Sequence, residues 1–261
     1  TQQYTLRRKK GFIMNHDITK EVLTEFSTAS SSNPVNRIAM NAVTSAGLLA
    51  ASKNPMAQRE SRHSYSISLE QGEITNQKQS GRCWMFAALN TFRFEVMKNL
   101  NLKTFELSQN YTLFYDKLEK SNYFLESILE TLDEPTQGRL ISFLLSAPLG
   151  DGGQWDMLCN LVRKYGVVPK EAMPETVSSS ATREMTSALT RKLREDACRL
   201  RKAYADGSTL DELRQKKEAM MEEIYRVLCL FLGEPPKTFD LGVTAKDDKF
   251  IRDTNLTGTA F

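Results

Sequence analysis

The stretch "QKQSGRCWMFAAL", Gln77 to Leu89, decides how this chain is read. A polar, glycine-containing turn gives way at Cys83 to an apolar run that continues to about Leu100. Trp84, Met85, Phe86, Leu89, Phe92, Phe94, Val96 and Met97 leave almost no turn without an apolar residue, and the pattern predicts a helix buried on most of its faces. Cys83 is then the first residue of that helix. Two readings are open. Free cysteines are commonly buried and inert. A cysteine at a helix N-terminus, however, meets unpaired backbone N–H groups and the positive end of the helix dipole, both of which favour a thiolate. Arg82 is expected to add a positive charge beside it. Gln77, six residues upstream, carries an amide that could donate to a tetrahedral oxyanion together with the cysteine's own N–H. Gly81 between them permits a close backbone turn.

The rest of the chain is ordinary in bulk. It has 261 residues, 40% hydrophobic and 26% charged, with a net charge of +3. That length is enough for one large domain or two modest ones, and the charge is too mild to argue for nucleic-acid binding. No apolar stretch nears the roughly 18 residues a spanning helix needs. Residues 1–16 read as a leader or an expression leftover, with Met14 a candidate initiator, and contain no apolar signal core. The four cysteines, Cys83, Cys159, Cys198 and Cys229, have no zinc-type spacing and form no disulfide scaffold. A reduced, cytoplasmic protein is the expectation.

Outward from the centre, residues 17–28 have the spacing of a short amphipathic helix capped by Asp17, and residues 35–51 read as a second helix. "SYSISL", 64–69, alternates as a short strand does. Helices are expected over 108–130, 138–146 and about 154–165, with the glycine-rich loop "APLGDGGQW" before the last. Residues 181–204 and a segment capped by Ser208 or Thr209 form an αα-hairpin, ended by Gly233 and Pro235. The tail, 237–261, holds β-like fragments.

"QKQSGRCWMFAA" resembles the papain-like cysteine peptidase signature, and "NQKQSGRCWMFAALNTFR" is similar in particular to the bleomycin hydrolase and aminopeptidase C branch. "GDGGQWDMLCNLVRKYGVVPKEAMPET", Gly150 to Thr176, and "LTEFSTASSSNPVNRIAMNAV" near the start resemble the same branch. The resemblance implies an α+β, papain-like fold, here its helical, cysteine-bearing half. It implies an N-terminal arm and helical half over 17–180, a helical-hairpin insertion over 181–232 used for oligomer contacts, and the start of a β-rich part over 233–261. It implies Cys83 as nucleophile, Gln77 as oxyanion donor, and Asp151, Gly152 and Gly153 at the substrate cleft. No metal or other cofactor is implied. The activity implied is removal of N-terminal residues from peptides through a thioester, in a homo-oligomer that is hexameric in the family.

The implied mechanism needs a histidine and an asparagine downstream of the cysteine. The only histidines are His16 and His63, both upstream. The chain is therefore expected to lack its base and to be inactive alone; a non-catalytic papain-like binding or assembly module is the alternative. Seven basic against three acidic residues between Arg183 and Lys202 read as a solvated helix face, with a channel lining or nucleic-acid surface as the sharper alternative.

Overall fold

The apolar run after Cys83 is helix α5 (Cys83–Asn99) of a mainly helical architecture. The computed structural model describes residues 18–60 and 64–261. Asp17 and both histidines, His16 and His63, lie outside the described residues.

Packing divides the chain at Ser68/Leu69 into two units. The first holds α1 (Lys20–Ser32), α2 (Pro34–Ala46), α3 (Leu48–Ala51) and α4 (Pro55–Glu60). Thr19 caps α1, its hydroxyl accepting from Val22 N. Asn33 ends α1 and caps α2 through Val35 N, with Pro34 at the first helical position, where a missing N–H costs nothing. The single helix expected over 35–51 is broken at Gly47, whose φ of +78° only glycine adopts readily. The strand expected over 64–69 is absent: these residues are irregular and exposed, and an alternating segment without a pairing partner does not form a strand.

The second unit holds the core. The helices α6 (Gln109–Glu130), α7 (Arg139–Ser146), α8 (Trp155–Tyr165), α9 (Val177–Ser180), α10 (Arg183–Ala205) and α11 (Leu210–Leu232) follow α5. β1 (Phe239–Thr244) and β2 (Phe250–Leu256) close the chain as an antiparallel hairpin. Ser108 caps α6 by accepting from Tyr111 N. Thr209 and Glu212 form a reciprocal capping box at α11.

The α10/α11 hairpin lies on α6. Met185, Leu189, Leu193, Leu200, Ile224 and Leu228 are fully buried there with Leu125 and Ile128. Its stripe of leucines at three- and four-residue spacing is thus part of the same core as α5. That helix is not buried all round, as its composition suggested. Met85, Phe86, Ala88, Leu89, Arg93 and Met97 face inward, while Cys83, Ala87, Thr91 and Glu95, four residues apart, form an exposed stripe.

Candidate active site

The loop before α5 is held by its own polar atoms and by partners in distant segments. Asn76 Oδ1 accepts from Lys78 N at 2.8 Å, and Lys78 takes a positive φ of 54°. Gln79 N donates to Ser180 O at 2.9 Å. Ser80 Oγ donates to Gln77 O at 2.6 Å, and Gln77 Nε2 donates to Ser80 O at 2.9 Å. A primary amide nitrogen carries two hydrogens, so this bond leaves Gln77 one N–H to offer elsewhere.

Arg82 is the residue before the helix, and its side chain is fully buried. Nη1 and Nη2 donate to both carboxylate oxygens of Glu175 at 2.9 and 2.7 Å, and Nε donates to Ser80 Oγ at 2.9 Å. Ser179 Oγ donates in turn to Glu175 at 2.8 Å. The guanidinium also lies 5.0 Å from the Phe86 ring centroid. The positive charge expected beside the thiol is thus turned inward and spent on Glu175. What Arg82 does is pin the start of α5 to the segment that precedes α9.

Cys83 itself is exposed. No side chain caps α5, so the unpaired N–H groups of its first turn remain available around the cysteine.

The second half of the site is the loop between α7 and α8. Asp151 links it to the first half. One carboxylate oxygen accepts from Gly81 N at 3.0 Å and Thr182 Oγ1 at 2.5 Å; the other accepts from Lys117 Nζ at 2.6 Å. Asp151 O accepts from Trp84 Nε1 at 2.8 Å. Burial works to raise this carboxyl, but the charge and hydrogen bond of Lys117, with those from Thr182 and Gly81, outweigh it and hold the group at about 2. Lys117 is fully buried; burial lowers its ammonium against the pull of Asp151 and Asp116. Burial also raises the carboxyl of Asp116, against Lys120 and Lys117.

Lys117 donates further to Gly150 O at 2.7 Å, and Lys120 to Gly152 O at 2.7 Å. Two lysines one turn apart on α6 therefore grip the carbonyls of the glycine loop. Gly153 lies on the Trp84 ring so closely that a Cβ would come within 2.5 Å of it, whereas a Cβ on Gly152 would meet nothing within 4 Å. Gly152 is exposed.

The expected residues Gln77, Cys83, Asp151, Gly152 and Gly153 thus belong to two loops joined by Asp151, Gly81 and Trp84. Lys117, Lys120, Glu175 and Thr182 escaped the sequence reading. They lie between 31 and 93 residues from the partners they hold, and no local spacing marks them. Among the described residues no group of three or more histidine, cysteine or acidic side chains could hold a metal, and no helix is long and apolar enough to cross a membrane.

Known proteins resemble this chain in sequence and in fold. The chain is 46% identical over 248 residues to aminopeptidase C of Listeria monocytogenes, covering 95% of this chain and 56% of that protein. It is 45% identical over 199 residues to human bleomycin hydrolase, covering 76% and 44%. The crystal structure of PepW from Lactobacillus rhamnosis matches with a TM-score of 0.91 at 44% identity, over 95% of this chain and 55% of that one. The α+β, papain-like architecture expected from the sequence is therefore the one found. The chain spans about half the length of the curated relatives it matches. The sequence profile of the Peptidase C1-like family matches residues 17–261, and the chain belongs to that family.

Proposed function

We propose that this chain carries the nucleophile-bearing half of a cysteine aminopeptidase, acting on the amino-terminal residues of peptides. The observation that carries the reading is the exposed Cys83 at the uncapped start of α5, beside a loop whose Gln77 amide retains a spare N–H. The Cys83 sulfur attacks the carbonyl carbon of the scissile peptide bond. The resulting oxyanion accepts from Gln77 Nε2 and Cys83 N. Collapse expels the amine, which takes up a proton, and leaves a thioester that water hydrolyses. Gly152 and Gly153 border the cleft, and Asp151 holds them at its rim.

A base must take the thiol proton, and the described residues include no histidine. In this reading the base is a histidine, oriented by an asparagine, in the part of the relatives' length that this chain does not span. The α10/α11 hairpin offers its outer face for contacts within a homo-oligomer, a hexamer as in the family resemblance. Four free cysteines support a reducing, cytoplasmic setting.

Cys83 and Cys198 are both exposed, so they can be compared within one molecule. Iodoacetamide is expected to alkylate Cys83 at least about threefold faster at neutral pH, because only Cys83 sits at a helix N-terminus. Peptide mapping by mass spectrometry reads the two rates. Equal rates would remove the nucleophile assignment.

A further inference from the structure

The space between the pre-cysteine loop and the start of α10 is cationic. α10 starts close to the pre-cysteine loop, and between them runs a groove of about 720 Å³. Lys78 to Gly81 form one wall, Asp151 a corner, and α10 from Thr182 to Arg194 the other wall. Lys78, Arg183, Arg191 and Arg194 line it, all exposed. The one carboxylate on its walls is Asp151, whose charge is already met by Lys117. Arg194 is held by the carbonyls of Leu145 and Ser146. Lys78, Arg183 and Arg191 make no salt bridge among the described residues, although their neighbours Lys192 and Arg199 on α10 do. The Thr182 hydroxyl goes to Asp151 and does not cap α10, so the positive end of that helix adds to the same field.

Charged helix faces ordinarily meet only water. Place sets this one apart. Gly81 is part of the groove wall and lies two residues before Cys83, at most about 7 Å along the chain. Asp151, at the corner, directly precedes Gly152. The groove therefore borders both the turn that leads into Cys83 and the loop that carries Gly152. We propose that the groove is a specificity site for a carboxylate side chain, so that the cleft favours peptides whose residue beside the scissile bond is glutamate or aspartate. The inference rests on Cys83 being the nucleophile. Unpaired guanidinium and ammonium groups supply charge-assisted donors to the carboxylate.

The test uses the 261-residue chain and two reagents of the same shape, the chloromethyl ketones of glutamate and glutamine. Cys83 displaces chloride from either, and mass spectrometry follows its labelling with Cys198 as internal reference. At low salt the glutamate reagent is expected to label Cys83 about fivefold faster than the glutamine reagent, the scale of a partly exposed ion pair. The ratio is expected to fall to about one at high salt and in the Lys78→Ala/Arg191→Ala variant, whose exposed side chains leave the core intact. Equal labelling of Cys83 by both reagents, with Cys83 still faster than Cys198, overturns the groove and spares the nucleophile. Labelling of Cys83 no faster than Cys198 by either reagent overturns both. A ratio of one, with a single-stranded oligonucleotide slowing both reagents in the parent but not in the variant, makes the groove a nucleic-acid surface and also overturns the proposal.

Discussion

Asp151 shows how one side chain joins two loops. Its carboxylate takes donors from the pre-cysteine loop, from α6 and from the residue before α10, and the buried Lys117 depends on it for a counter-charge. Asp151→Asn keeps the shape and removes the charge. The loss is expected to cost about 3–5 kcal/mol, because breaking a buried pair leaves the other ion uncompensated. Urea unfolding at neutral pH measures it, and a loss below about 1 kcal/mol would mean that Lys117 finds another partner or sheds its proton. The acid side provides a second check. The folded-state carboxyl is depressed to about 2 from the ordinary 3.8. Its contribution is therefore present above about 3.8 and lost as pH falls toward about 2. The Asn variant is expected to lose stability less steeply across that window. Asp116, whose carboxyl is raised by burial and in part by the Asp151 charge, acts in the opposite direction, and losing that charge in the variant weakens its opposing contribution.

At the scale of elements, the loop between α7 and α8 is kept in place by contacts that differ from one glycine to the next. Gly153 is tight against Trp84, and Gly152 faces open space. Gly153→Ala is expected to destabilise by about 1–3 kcal/mol, the usual cost of forcing extra volume into packed surroundings, and to slow alkylation of Cys83 as Trp84 shifts. Gly152→Ala is expected to leave thermal stability within about 0.5 kcal/mol. Parallel melting curves and alkylation rates for the two variants decide this; equal effects would show that the Trp84 contact does not set the loop. The same loop explains why a short glycine-rich segment can be precise. Lys117 and Lys120 occupy its carbonyls, so its conformation is imposed from α6.

Over the whole molecule, the buried hydrophobic residues lie between Met85 and Ala245 among the described residues, and α1, α2 and α3 hold no buried residue. Residues 69–261 are accordingly expected to fold without the first unit, in one cooperative transition and within a few degrees of the full chain's midpoint. Circular dichroism on that shortened chain tests it; loss of the transition would show that the core needs the first unit.

Much of the architecture could be read from local pattern. Helical spacing and capping residues located α6, α8, α10 and α11 closely, because those signals act within a few residues. The strand expected over 64–69 failed for the converse reason: alternation cannot supply a pairing partner. Arg82 was misread because sequence placed its charge beside the thiol, whereas folding turned it toward Glu175. The junction at Cys83, with Gln77 before it and Trp84 after it, was determined by the sequence alone, since a polar turn must end where an apolar helix begins. Tertiary structure alone decided which charges hold that junction in place. Glu175 lies 93 residues from Arg82, Asp151 70 from Gly81 and Lys117 34 from Asp151, and only packing of the helices around one core brings them within hydrogen-bonding distance.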